Sequence, residues 1–128
     1  MRKQLVYVEL KTGYSGNGPA WVGTATYSKS GRMLYFNGMA FQKGSNIQGN
    51  HFNVLTADEY WISGIKKDGT NRHWAGSGKI LIDKYVINEY MRLTNQQSLP
   101  KSKFEIVELN NELPKDEIRE VKNRKLTP

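Results

Sequence analysis

Residues 59–83, EYWISGIKKDGTNRHWAGSGKILID, hold two of the three tryptophans, one of the two histidines and a strong turn signal. Asp68-Gly69 separates two runs that are each compatible with extended chain, and Asp-Gly supplies the positive φ angles that a type I′ hairpin turn requires. The sequence therefore predicts a two-stranded ribbon with its turn at this dipeptide. Counting outward from the turn predicts three cross-strand pairs, Lys67 with Thr70, Ile65 with Arg72 and Ser63 with Trp74.

Side chains alternate between the two faces of such a ribbon. Trp61, Arg72 and Trp74 then share one face, while Tyr60 and His73 lie on the other. A guanidinium needs water or a partner, so Arg72 places the first face at the rim of a groove. The alternative, that both tryptophans are core residues under a curled sheet, stays open because burial is the normal environment of tryptophan.

The composition indicates one soluble, basic domain. The chain has 128 residues, with 19 lysines and arginines against 12 aspartates and glutamates, a formal charge of +7. Residues 111–128 carry five basic and four acidic groups, so the excess belongs to the first 110 residues, which we predict to be a single β-rich domain. With no cysteine, no signal-peptide run and no apolar stretch of membrane-spanning length, the sequence favours the cytoplasm and no membrane contact.

The rest of the chain is mostly strand and turn. Residues 4–11 alternate as a strand, and residues 20–28 and 32–42 flank Lys29-Ser30-Gly31 as a central hairpin. Asn37-Gly38 inside the second arm indicates either a bulge or another tight turn. The fold class is therefore mainly β: a curled antiparallel sheet or small barrel of about six or seven strands.

Helical patterns occur only towards the C-terminus. Asp83 is a good N-cap, and the apolar spacing after it predicts one α-helix over about residues 83–95, packed on the sheet. Residues 103–109 return as a strand. The charged tail, 111–128, has the charge order of a helix but only Ile118, Val121 and Leu126 to dock it, so it is either a marginal helix or disordered.

Most catalytic and metal-binding patterns fail. Gly76-Ser77-Gly78-Lys79 lacks the other residues of a phosphate-binding loop, no Gly-x-Ser-x-Gly elbow occurs, and His51 and His73 are too far apart in sequence for a helical metal pair. The sequence thus predicts no catalytic residue, no metal ligand and no cofactor. An enzyme acting on a small sugar or nucleotide is a distant third interpretation, with His73, Arg72 and Asp58 as its candidates.

Four segments carry a family resemblance: TGYSGNGPAW, SKSGRMLYFNGMAFQ, EYWISGIKKDGTNRHWAGSGKI and IDKYVINEY. They are similar to a group of small, uncharacterised bacterial proteins, over roughly residues 5–92. Some members carry the label of 1-deoxy-D-xylulose-5-phosphate synthase, a much larger enzyme whose diphosphate motif begins Gly-Asp-Gly. Lys67 stands before Asp68-Gly69 here, so the resemblance implies no such activity.

The remaining candidate site is aromatic and basic. It consists of Trp61, Trp74, Arg72, Lys66 and Lys67, with His73 and Tyr60 on the neighbouring face. Exposed indoles stack bases while nearby cations hold phosphates, which is typical of nucleic-acid binding. The sequence therefore predicts a nucleic-acid (polyanion) binding protein; the alternative is a protein-interaction module, such as an accessory or inhibitor subunit, that uses the same face.

Overall fold

The computed structural model describes residues 1–14, 18–44, 48–72 and 78–125. Within these ranges the chain forms eight strands in one sheet and two α-helices. The strands are β1 (Arg2–Leu10), β2 (Ala20–Tyr27), β3 (Met33–Phe36), β4 (Met39–Lys43), β5 (His51–Asn53), β6 (Glu59–Gly64), β7 (Ile80–Asp83) and β8 (Phe104–Val107). The helices are α1 (Ile87–Leu93), preceded by a 3-10 turn (Lys84–Val86), and α2 (Lys115–Asn123).

Strands β1 to β6 close an antiparallel barrel in which each strand pairs with the next and β6 returns to β1. In the register of the closing pairs, Glu9 of β1 stands opposite Trp61 of β6 and Ala20 of β2. The prediction of a mainly β fold with a small barrel is confirmed. Closure removes the free strand edges that an open sheet would expose.

The sheet continues beyond the barrel through a parallel unit. β7 runs parallel to β2, β8 runs parallel to β7, and α1 makes the crossover between them. The outer edge of β2 is shared, because Thr26 and Tyr27 pair with β3 whereas residues 20–22 pair with β7. Gly23 lies where these two partners diverge, and Leu109 fills the gap so closely that a Cβ on Gly23 would lie 2.7 Å from its Cδ1 atom.

The apolar side chains form three separate cores. The barrel interior contains Val6, Val8, Ala25, Leu34, Phe36, Phe41, Tyr60, Ile62 and Leu109. A second core lies between the outer face of β1, β2 and β7 and the helix α1, and its members include Leu5, Tyr7, Val22, Ile82 and Tyr90. Helix α1 therefore packs on the sheet, as predicted for the residues that follow Asp83.

The third core attaches the C-terminal helix. Val121 is fully buried against Met33, Tyr35, Ala40 and Val54, and Ile118 packs beside it. The tail thus forms a helix that docks through two of the three apolar residues available to it. Leu126, the third, lies outside the described residues.

The predicted hairpin at Asp68-Gly69 is wrong. β6 ends at Gly64, and residues 65–72 form turns and bends without a strand. β6 has no free edge for a returning arm: β1 occupies one edge, and β5 together with the Asn50 side chain occupies the other. The Asn50 amide donates to Ile62 O and accepts from Ile62 N, both at 2.8 Å, and so takes the place of a strand.

The turn at Asp68-Gly69 is also of another type. Gly69 has φ +73° and donates to Lys66 O at 3.0 Å, but Asp68 is not among the residues with positive φ. A type I′ turn, which needs positive φ at both central residues, occurs instead at Asn37 (φ 49°) and Gly38 (φ 74°), between β3 and β4. The alternative left open at Asn37-Gly38 is thereby resolved as a tight turn.

No helix in the described ranges is long and apolar enough to cross a membrane.

Candidate functional site

Arg72 is buried in the protein and does not lie at the rim of a groove. Only 3% of its surface is exposed. Its guanidinium donates to Gly78 O at 3.0 Å, to Gly18 O at 3.0 Å and to the Tyr7 hydroxyl at 3.4 Å. Because both carbonyls belong to glycine-rich loops, Arg72 ties the segments before β2 and before β7 to the outer face of β1.

Glu9 is the anion at the centre of this arrangement, which we call the Arg72 network (Tyr7, Glu9, Lys11 and Arg72). Its carboxylate accepts from the Tyr7 hydroxyl and from Lys11 Nζ at 2.6 Å, and it lies 3.6 Å from Arg72 Nη1. Burial first, and then the hydrogen bond to Glu9, raise the pKa of Tyr7 above its ordinary value, so its hydroxyl stays protonated as a donor. Each of the four side chains is bonded to another member of the network, and Arg72 also binds two loop carbonyls. The network therefore has a structural role.

The two adjacent aromatic residues of β6 lie on opposite sides of the barrel wall, as alternation predicts. Tyr60 points into the interior, where its ring packs edge-on against Phe41 with centroids 4.8 Å apart. Trp61 faces outward and is 42% exposed. Trp61 is therefore a surface residue.

Lys66 and Lys67 are exposed on the turn that follows β6. The turn is held by Asn71, whose Oδ1 accepts from Lys66 N at 2.7 Å and whose Nδ2 donates to Gly64 O at 2.9 Å. His73 and Trp74 lie outside the described residues. The expected surface of two indoles around an exposed Arg72 is thus divided: Trp61 and the two lysines are exposed, while the guanidinium is inside.

The residues of the enzyme interpretation are not brought together where they are described. Asp58 lies in the turn between β5 and β6, and no hydrogen bond or ion pair of its carboxylate to Arg72 occurs within the described ranges. In the same ranges, no group of three His, Cys, Asp or Glu side chains could hold a metal ion.

Exposed cations collect around the start of β1 and the connected end of β2, start of β3 and end of β4. Arg2 begins β1, whereas Glu9, the partner of Trp61, stands near its end. Seven residues of extended chain separate them, about 20 Å at the rise of a strand. We call the cations around the Arg2 end the basic rim: Arg2, Lys29, Arg32, Lys43 and Lys122, all exposed.

The members of the basic rim are neighbours through strand pairing and through two shallow surface depressions that they line in pairs. Arg2 pairs with Tyr27 and its guanidinium carbon lies 4.1 Å above that ring. Lys29 and Lys122 line one depression together with the N-terminal Met1. Arg32 and Lys43 line the other, and Lys43 N donates to Arg32 O at 3.4 Å.

The rim lacks compensating anions. Among the described residues, none of its five side chains forms an ion pair, whereas Arg72 and Lys11 both pair with Glu9. The sequence carries a signal for three of the five, Lys29, Arg32 and Lys43, because no aspartate or glutamate occurs between Glu9 and Asp58. We missed it by following the tryptophans and not the spacing of the carboxylates.

His51 lies beside the rim, opposite Lys43 in the β4–β5 register. It is buried and its Nδ1 atom lies 2.9 Å from Asn50 Oδ1. Burial first, and then the positive charge of Lys43, lower the pKa of His51 to about 4. The histidine is therefore neutral near pH 7.

No protein-family model matches the chain, and neither a curated protein nor a solved structure shows significant similarity to it.

Proposed function

We propose that the protein binds nucleic acid through phosphate contacts made by the basic rim. The observation that carries the proposal is a set of five exposed cations along the connected ends of β1 to β4 and on α2, with no ion pair among the described residues. Cations without a carboxylate partner retain their charge attraction for polyanions, and displacement of condensed counterions then drives association.

The proposal keeps the predicted class of ligand and changes the surface. Arg72 is removed from the interface because its guanidinium is committed to Glu9 and to two loop carbonyls. Stacking on Trp61 is not required, since phosphate contacts alone supply the attraction. The expected mode is recognition of the backbone with little sequence preference.

The test is fluorescence anisotropy of a labelled single-stranded oligonucleotide as a function of salt. Five phosphate contacts predict that log Kobs falls against log salt with a slope of about −3.5. The variant Lys29→Gln/Arg32→Gln/Lys43→Gln should lower the affinity by more than about tenfold and make the slope shallower by about 2.

The matched control is Lys66→Gln/Lys67→Gln/Lys101→Gln, which removes the same charge from exposed positions outside the rim. We expect it to change affinity by less than about threefold. If both triple variants weaken binding equally, binding is a diffuse effect of net charge and the rim is not a site. If the wild-type protein binds neither DNA nor RNA at low salt, the proposal of nucleic-acid binding is rejected.

A protein-interaction role is the second candidate, and the exposed apolar residues around Trp61 favour it. Tyr14, Leu55 and Trp61 are 47%, 49% and 42% exposed. Their segments are joined there, because Lys11 N donates to Glu59 O at 2.9 Å and Thr12 Oγ1 accepts from Glu59 N at 2.7 Å. Exposed large apolar residues at one end of a small protein are typical of a docking surface.

This role predicts a defined protein partner whose complex is lost in Trp61→Ser. The control is Tyr85→Ser, a more exposed aromatic residue that lies on the 3-10 turn before α1. Equal affinity of both variants for that partner, measured by calorimetry, would exclude the Trp61 surface.

A further inference from the structure

A polar cleft opens where the sheet divides. The two neighbours of β2, strands β3 and β7, separate on either side of Gly23, and the chain after β8 crosses this gap. Thr24 and Thr26 of β2 and Lys3 of β1 line one side, and residues 110–113 line another. The cleft has a volume of about 240 Å³.

The wall formed by residues 110–113 is held in place by amide side chains. Asn37 Oδ1 accepts from Asn110 N, and Asn110 Oδ1 accepts from Glu112 N, both at 3.0 Å. Asn111 Nδ2 donates to Asp83 Oδ2 at 3.0 Å, and Asp83 is fully buried. Each amide uses one end for the backbone or for Asp83, so the cleft has a fixed shape before any ligand enters.

Several polar side chains that line the cleft have no protein partner. No hydrogen bond or ion pair joins the side chains of Lys3, Thr24, Thr26, Tyr35 or Glu112 to any described residue. No buried side-chain polar atom of the described chain lacks a partner, so these five groups are accessible to solvent in the cleft. Five partnerless donors and acceptors around one preformed cleft are suited to a ligand that forms several hydrogen bonds at once.

The charges and rings of the cleft narrow the class of ligand. Lys3 and Glu112 carry opposite charges, so the lining has no net charge to select an ion. Tyr35 and Phe36 are 4% and 2% exposed, which leaves no ring face free for stacking a base. The volume lies below the range of about 300–1,000 Å³ that is typical of drug-sized ligands.

We infer that this cleft binds a neutral, hydroxyl-rich molecule the size of one sugar ring. Its hydroxyls would form hydrogen bonds with Thr24, Thr26 and the amides of Asn37 and Asn110. Lys3 would serve as a further donor and Glu112 as a further acceptor. The inference is independent of nucleic-acid binding, because none of these residues belongs to the basic rim.

The experiment is an NMR titration of the ¹⁵N-labelled protein with three probes, D-ribose, D-glucose and N-acetyl-D-glucosamine. At least one should produce saturable shifts in the side-chain amide signals of Asn37, Asn110 or Asn111. The double variant Thr24→Val/Thr26→Val keeps β-branched residues in β2 and should weaken that binding by about 25-fold, or about fivefold for each hydroxyl.

Two further variants complete the test. Lys3→Met, at an exposed strand position, should also weaken binding, whereas Thr70→Val on the distant turn should leave it unchanged. The inference is overturned if none of the three sugars causes a saturable shift, if Thr24→Val/Thr26→Val binds as tightly as the wild type, or if uridine saturates the cleft while the sugars do not.

Discussion

Two regions of the barrel use the same kind of residue in opposite ways. In the Arg72 network, Arg72 is buried, bonded to two loop carbonyls and close to Glu9. In the basic rim, Arg32 is exposed, and its side chain forms no ion pair with a described residue. A net charge of +7 therefore says little about where a polyanion would bind. What matters is which cations lack an anionic partner and also lie close together.

The largest expected effect is on stability, which should depend on Arg72 and not on Arg32. Arg72→Met leaves Lys11 as the only cation beside Glu9 and removes the donor to two loop carbonyls, so the free energy of unfolding should fall by about 3–5 kcal/mol. Arg32→Met should change it by less than about 0.5 kcal/mol, as is usual for exposed positions. Chemical denaturation measures both values.

Nucleic-acid affinity should show the reverse order. Arg32→Met should weaken binding severalfold, while the folded fraction of Arg72→Met binds as the wild type does. A stable Arg72→Met protein that has lost binding would show that Arg72 contributes to the nucleic-acid interface, which contradicts the structural role given to it here.

A smaller effect concerns His51, which is buried beside the positive rim. Its pKa in the folded protein is about 4, below the ordinary value of about 6.5. Above pH 6.5 both folded and unfolded states hold a neutral imidazole, so the group does not affect stability there. As the pH falls from 6.5 towards 4 only the unfolded state gains a proton, and stability should decrease by up to about 3 kcal/mol.

Denaturation curves at several pH values check this prediction. In His51→Gln the dependence between pH 6.5 and 4 should flatten, and in Lys43→Gln the His51 pKa should rise because a nearby positive charge is removed. An NMR titration that finds His51 with an ordinary pKa would show that neither burial nor the rim acts on it.

Two turn dipeptides show how far the fold could be predicted from the sequence. Asn37-Gly38 and Asp68-Gly69 are both strong hairpin signals, yet only the first forms a type I′ turn. The difference lies outside the dipeptides. An edge of β3 is available to β4, whereas both edges of β6 are already paired, one with β1 and the other with β5 and the Asn50 amide. Local turn chemistry is readable from sequence, but the availability of an edge depends on barrel closure.

The candidate site shows a similar division. Alternation correctly placed Tyr60 and Trp61 on opposite sides of the wall, because it depends only on the local period of a strand. Arg72 was misplaced because its position came from pairing with Ile65 across a ribbon that does not form. The strand–helix–strand order after Lys79 was present in the sequence and predicts a parallel crossover, although we predicted only a mainly antiparallel sheet and gave no direction for residues 103–109.

The most direct measurement is a map of where nucleic acid touches the protein. A ¹⁵N spectrum recorded during titration with a single-stranded oligonucleotide reports the backbone amides of Lys29, Arg32 and Lys43 together with the Arg72 Nε–H and the Trp61 indole N–H. We expect the rim amides to shift and saturate while the Arg72 and Trp61 signals stay in place. Shifts of the Arg72 and Trp61 signals, with the rim amides unchanged, would contradict the assignment of binding to the basic rim.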